Sequence, residues 1–298
     1  MQCSACRREA VFFQPYSGKY LCPVHFTRDL EAKAKRTIRT RGWLRPGDHL
    51  AVVLGGDAAS AGLLFFLSGL TKDRRDVRLS AITIDTGIAG FPLAERARAI
   101  AHSLGVTWCA GSLAERYGVT RDSLRENEGP EAAARTCRVL AGDLLGEIAE
   151  QHGVTRCAVA TPVDEIAGDF FADLLTGTPE HTLFSRQSAG RSNIPVITPF
   201  KEIPAAELDC YGRLHVHGEF LPAVPCRGES GPEHEADGVL DTYNHRHPGA
   251  RFALANLAGT LSGIAHHHPP ACPVCGEPQE GGSCPACAVR EKYGRSTA

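Results

Sequence analysis

The sequence predicts an α/β fold, a doubly wound parallel sheet with a small metal-binding module at each end. Three observations carry this expectation. From Asp48 onward short apolar segments alternate with longer helical runs; a double glycine, Gly55-Gly56, follows the first segment; and seven of the 12 cysteines, with His25, form two pairs of chelating turns near the ends.

At the N-terminus Cys3-x2-Cys6 and Cys22-x2-His25 flank a turn at Tyr16-Ser17-Gly18. Two such turns on a hairpin close a tetrahedral site of three thiolates and one imidazole, the ligand set zinc prefers. With all four positions filled by protein, its role is structural. Residues 26–41 contain no Gly or Pro and carry Arg28, Lys33, Lys35, Arg36, Arg39 and Arg41, which predicts a helix with a basic side. Such a side suits nucleic-acid phosphates, or is simply a solvated face offset by Asp29 and Glu31.

The first strand is expected at 50–54, followed by Gly55-Gly56-Asp57-Ala58-Ala59-Ser60 and an apolar helical run at 61–67. Strand, glycine loop and helix together aim backbone N–H groups at an anion such as phosphate, although an ordinary βα turn also favours glycine. Further strands are expected at 79–84, 106–110, 156–160 and 194–200, with helices at 93–104, 131–152 and from 161 to 175. Ligands of such sheets sit beyond the strands' carboxyl ends, where Asp85, Asp164 and the glycine loop all fall. Helical segments are expected in 201–263, and His266-His267-His268-Pro269-Pro270 marks a boundary. Beyond it, Cys272-x2-Cys275 and Cys284-x2-Cys287 around a Gly-rich loop read as a compact four-cysteine zinc ribbon.

The organisation expected is a zinc finger at 1–26, a basic linker helix at 27–47, a nucleotide-binding α/β domain at 48–212, a helical extension at 213–265 and a zinc ribbon at 266–298. A chain of 298 residues can bury cores for about two domains. Its net charge of -2 rules out a global nucleic-acid or membrane signal. The N-terminus has no signal-peptide pattern and no stretch has the ~18 apolar residues of a span, so a cytoplasmic protein without membrane contact is expected.

This combination resembles the PP-loop tRNA 2-thiouridine sulfurtransferases of the TtuA group and their eukaryotic cytosolic thiolation relatives, along essentially the whole chain. Ile82-Thr83-Ile84-Asp85-x-Gly87 looks like the family's second-strand motif, and Cys137-x-Val139-Leu140 like the end of its CxxC helix. Val196-Ile197-Thr198-Pro199-Phe200 with Glu207 and Tyr211, Pro248-Gly249-x-Arg251-Phe252 and the terminal knuckles match as well. The resemblance implies that ATP adenylates the C2 oxygen of a tRNA uridine, which sulfur from a small ubiquitin-like carrier protein then replaces. It also implies a homodimer, and in many members three cysteines hold a [4Fe–4S] cluster with one open iron.

The chain departs from the family where that chemistry resides. The Ser-Gly-Gly-x-Asp-Ser loop reads Leu54-Gly55-Gly56-Asp57-Ala58-Ala59, so Asp57 and Ser60 replace the missing groups only by a shift in register. Ala134 stands at the first CxxC position, Ala141 at a usual basic position, and Thr161-Pro162-Val163-Asp164-Glu165 shortens a longer acidic stretch. The resemblance then assigns pyrophosphate to Gly55 and Gly56, Mg2+ to Asp57 or Asp164, and sulfur handling to Cys137 with Cys226, by persulfide relay if no cluster forms. Buried core cysteines are the plain alternative for that pair. A catalytically silent tRNA-binding paralogue, paired with an active sulfurtransferase, is the competing function.

Overall fold

The computed structural model describes residues 1–178, 183, 189–220, 232–264, 272–276 and 284–294. A hairpin of β1 (Phe12–Gln14) and β2 (Lys19–Leu21) opens the chain, turning where Gly18 adopts φ 65° and donates its N–H to the Gln14 carbonyl. Helix α1 (Pro23–Arg41) follows, beginning three residues earlier than the basic run alone suggests. Pro23 is tolerated at the first helical position because no intrahelical N–H is needed there. Cys22 is therefore the N-cap residue, and His25 lies in the first turn.

The sheet comprises β3 (His49–Val53), β4 (Arg78–Asp85), β5 (Thr107–Ser112), β6 (Arg156–Ala158) and β7 (Val196–Ile197), in the order β5-β4-β3-β6-β7. Every pairing is parallel. Crossovers run through α2 (Ala58–Thr71), α3 (Leu93–Ser103), α4 (Leu113–Tyr117), α5 (Arg121–Glu128), α6 (Pro130–Gln151) and α7 (Val163–Thr176). Helices α8 (Ala205–His215), α9 (Pro232–Arg246), α10 (Ala250–Ile264) and α11 (Pro285–Tyr293) complete the described chain. Apolar packing covers both sheet faces: Leu63, Leu67, Ile100 and Tyr211 on one, Leu113, Leu140, Leu144 and Ile148 on the other. This is the doubly wound arrangement expected. β7 is shorter than predicted, because Pro195 and Pro199 bracket it and its neighbour β6 is itself three residues long. Among the described residues no helix is long and apolar enough to cross a membrane.

The N-terminal hairpin docks on α8 through a buried carboxylate. Glu207, 1% exposed, accepts hydrogen bonds from Tyr16 Oη at 2.5 Å and Gln14 Nε2 at 3.2 Å, with Lys33 Nζ 3.6 Å away. Gln14 also donates to Asp29 at 3.0 Å. Lys33 further pairs with Asp29, Lys35 with Glu31 and Arg36 with Glu202, so half of the six cations counted on α1 meet carboxylates. That pairing favours the solvated, charge-balanced reading of this helix over a phosphate-binding stripe.

Burial raises the Glu207 carboxyl above its ordinary range, against the opposing pull of Lys33, Tyr16 and Gln14. A raised folded-state value means that the group's contribution to stability is complete below its unfolded value and is lost as pH rises through the folded one. The stability difference between wild type and Glu207→Gln is therefore expected to move against wild type from about pH 4.5 towards pH 7. Urea titrations of both proteins at several pH values test this, and a difference independent of pH would refute it.

Candidate functional site

The glycine loop leaves the end of β3 and enters α2. Gly56 takes φ 73°, a left-handed conformation that glycine adopts without strain. Asp57 caps α2, its Oδ1 accepting from the Ser60 N–H at 2.9 Å, while Ser60 Oγ donates to Asp57 Oδ2 at 2.9 Å and accepts from the Gly55 N–H at 3.1 Å. A Cβ on Gly55 would lie 2.6 Å from Asp57 Oδ2, so glycine there admits the carboxylate. Asp57 and Ser60 thus engage each other and the loop. The N–H groups of Gly56, Ala58 and Ala59 meet no acceptor among the described residues.

A cavity opens beside this loop at the carboxyl edge of the sheet. Gly55 and Asp57 line it from β3, Asp85 from β4, and Ile84, Ile88 and Phe91 supply an apolar wall. Asp85 also accepts from the Gly87 N–H at 2.9 Å. The opposite wall is α6, which presents Ala134, Cys137, Arg138 and Ala141, with Arg121 from α5. Spacings of three and four residues place Ala134, Cys137 and Ala141 on one helical face. The sequence reading missed Arg121 and Arg138; Arg138 follows Cys137 directly, and Arg121 follows the Thr120 cap of α5.

Asp164 is elsewhere. Its Oδ2 accepts from the Ala205 N–H at 2.6 Å and its Oδ1 pairs with Arg251 Nη1 at 3.0 Å, tying α7 to α8 and α10. Both oxygens are engaged, and the residue is absent from the cavity lining that holds Asp57 and Asp85. Cys226 and the run His266-His267-His268 lie outside the described residues.

Two four-ligand clusters stand at the chain ends, Cys3, Cys6, Cys22 and His25 in one, Cys272, Cys275, Cys284 and Cys287 in the other. They share a construction: the second pair is the N-cap and first turn of a helix, Cys22 and His25 on α1, Cys284 and Cys287 on α11. Cys6 and Cys22 sulfurs are 3.7 Å apart, and His25 Nδ1 lies 3.4 Å from Cys3 Sγ and 3.3 Å from Cys22 Sγ. In the second cluster Cys272–Cys287 and Cys275–Cys284 are separated by 3.6 and 3.5 Å. Tetrahedral bonds of about 2.3 Å to sulfur and 2.0 Å to nitrogen imply sulfur–sulfur edges of about 3.8 Å and sulfur–nitrogen edges of about 3.5 Å. Both clusters can hold a metal ion of that size.

The family model of the 2-thiouridine synthetase TtuA N-terminal LIM domain matches residues 2–27, the first of these modules. The tRNA 2-thiolation protein NcsA of Haloferax volcanii is 27% identical over 98% of this chain and 98% of its own. The tRNA-5-methyluridine(54) 2-sulfurtransferase of Pyrococcus horikoshii is 22% identical over 96% of this chain and 93% of its own. A solved structure, the U34-tRNA thiolase NcsA from Methanococcus maripaludis with its [4Fe-4S] cluster, shares the fold at TM-score 0.79 and 18% identity, covering 98% of this chain and 96% of that one. Over nearly its whole length the chain is thus similar to proteins of tRNA thiolation.

The Methanococcus maripaludis protein holds a [4Fe-4S] cluster. Among the described residues lining the cavity of this chain, Cys137 is the one sulfur donor, and alanine stands at 134. The described lining therefore does not fit a cubane held by three cysteines.

Proposed function

We propose that this chain is an ATP-dependent tRNA 2-thiolation protein, acting on the C2 oxygen of a tRNA uridine. The observation that carries the reading is that Cys137 opens onto the same cavity as the Gly55-Gly56 loop. The N–H groups of Gly56, Ala58 and Ala59 are the donors left for phosphate, the cations Arg121 and Arg138 lie across from them, and Asp57 or Asp85 is the carboxylate for Mg2+. The apolar wall of Ile84, Ile88 and Phe91 suits a nucleobase.

In this scheme the uridine C2 oxygen attacks the α-phosphate and pyrophosphate leaves, which turns a poor leaving group into AMP. The terminal sulfur of a Cys137 persulfide, formed when the Cys137 thiolate takes the outer sulfur of a donor protein's cysteine persulfide and the donor thiolate leaves, attacks C2 as AMP departs. The Cys226 thiolate then attacks Cys137 Sγ, which forms a Cys137–Cys226 disulfide and releases the thiolated base; a cellular dithiol reduces the disulfide. The two terminal clusters are structural zinc sites, and the chain divides at 26, 47, 212 and 265 into the five segments described above. Homodimerisation and a cytoplasmic location complete the proposal.

A second reading, a silent paralogue that still binds tRNA, is favoured by Ala134 and Ala141 on the cavity wall and by the Asp57–Ser60 contacts that occupy part of the loop. Calorimetry separates the two. Anaerobically purified protein with Mg2+ is expected to bind ATP with a Kd on the order of 10–100 μM, and Gly56→Ala to lose that binding because its backbone needs positive φ. No binding by wild type would refute the nucleotide site and leave the silent reading.

A further inference from the structure

Helix α11, which follows the C-terminal cysteine cluster, lies against α6, the helix that carries Cys137. Val289 and Tyr293 pack on the core residues of that face. Polar contacts tie α11 to α6 at two heights, directly at Asp143 and through Glu128, the last residue of α5. Arg290 forks onto Asp143, Nε to Oδ2 at 2.7 Å and Nη2 to Oδ1 at 3.0 Å. Lys292 and Tyr293 both donate to Glu128 Oε1, the Tyr293 bond being 2.5 Å, and the other Glu128 oxygen accepts from Thr136 Oγ1 at 2.9 Å. Thr136 precedes Cys137 directly.

The third guanidinium nitrogen is what sets Arg290 apart. Nη1 is buried and has no hydrogen-bond partner, in a side chain 13% exposed. Arg290 lies one helical turn beyond Cys287, which shares its cluster with Cys275, and against the opposing effect of burial Asp143 and the Cys275 sulfur hold the guanidinium's pKa above its usual range. A buried donor without an acceptor is unfavourable, and a metal-bound cysteine is a thiolate, a far better acceptor than a thiol. Four thiolates on a divalent ion also leave net negative charge, which a neighbouring guanidinium offsets.

We propose that metal in the Cys272, Cys275, Cys284 and Cys287 centre fixes Arg290 through the Cys275 sulfur, and that Arg290, by its fork on Asp143, holds α6 and so positions Cys137. Arg290 is a positioning residue in this scheme: it touches neither the cavity nor the reacting sulfur. The inference rests on the metal reading of the cluster and does not need the nucleotide site.

The test follows alkylation of Cys137 by iodoacetamide in the full-length protein, with the Cys137 peptide quantified by mass spectrometry and metal content measured on each sample. Wild type is compared with Arg290→Met, Cys287→Ser and the double variant; Cys287→Ser disables this centre while leaving the N-terminal cluster intact. Cys137 is 8% exposed, so its labelling reports opening of α6. Each single variant is expected to speed labelling by about tenfold and the double variant by no more than the larger single effect, the signature of one shared path. Arg290→Met is expected to keep two metals per chain and Cys287→Ser one. Should Arg290→Met fail to fold, Asp143→Asn breaks the same fork from the other side and is expected to behave alike. Multiplying effects, or an unchanged rate in Arg290→Met with its metal retained, would overturn the inference; wild type without metal would overturn it by removing the metal reading on which it stands.

Discussion

Gly212→Ala is expected to destabilise the protein by about 3 kcal/mol or more, beyond the usual range for an added methyl group in a packed core. Helices α2 and α8 cross with their backbones in contact. A Cβ at Gly212 would overlap the Ala58 carbonyl oxygen and lie 2.5 Å from its carbon and 3.0 Å from its Cα. None of these atoms belongs to a side chain that can rotate aside, so one helix must translate. Across the contact, a Cβ at Gly62 would meet Tyr211 Cδ1 at 3.0 Å and the Gly212 Cα at 3.3 Å, and Gly62→Ala is expected to cost about 1–2 kcal/mol. Gly69, also in α2, has nothing within 4 Å of an added Cβ, and Gly69→Ala is expected to be neutral or stabilising by up to about 1 kcal/mol. Denaturant unfolding of the three variants checks the order. Equal effects would show that helix propensity, rather than the backbone crossing, governs these positions. Because Ala58 is the first residue of α2, Gly212→Ala also displaces the loop that ends at Asp57.

That crossing is a feature the sequence conceals, since both glycines stand in runs that otherwise read as ordinary helix. What could be read was whatever depends on neighbours in the chain. The five-residue apolar run after Asp48, with its double glycine, locates β3 and its loop because a buried parallel strand needs no alternation. Chelating pairs announce the terminal clusters because their spacing is local. Long-range partners were not legible. Asp164 falls at the expected edge of the sheet, yet Arg251 and the Ala205 N–H hold it outside the cavity. Lys33 counted towards a basic stripe, yet it faces Asp29 and the buried Glu207. Conversely Cys137 was singled out by resemblance, and its place on the cavity wall follows from which face α6 buries, with Leu140 and Leu144 turned into the core.

The second large effect is expected at Cys22. Cys22→Ser removes one of four ligands, and the N-terminal module has little else to hold it: strands of three residues each, and a core contribution limited to a few side chains such as Leu21 and Phe12. Modules of fewer than ~40 residues rarely fold without a metal or crosslink, and a structural zinc ion supplies binding energy of about 10–16 kcal/mol in isolated fingers. The change also strikes α1 at its N-cap, where Cys22 is fully buried. One metal per chain is expected to be lost, and cleavage within residues 1–22 by a non-specific protease under native conditions to rise by about a hundredfold or more. The damage reaches past the module, because Gln14 and Tyr16 supply two of the donors to Glu207. Once the hairpin detaches, that carboxylate meets water, and the pH-dependent difference between wild type and Glu207→Gln is expected to vanish in the Cys22→Ser background. Retention of the pH-dependent difference in a protein that has lost the metal would show that the hairpin docks on α8 by its own packing, with the metal dispensable for the contact.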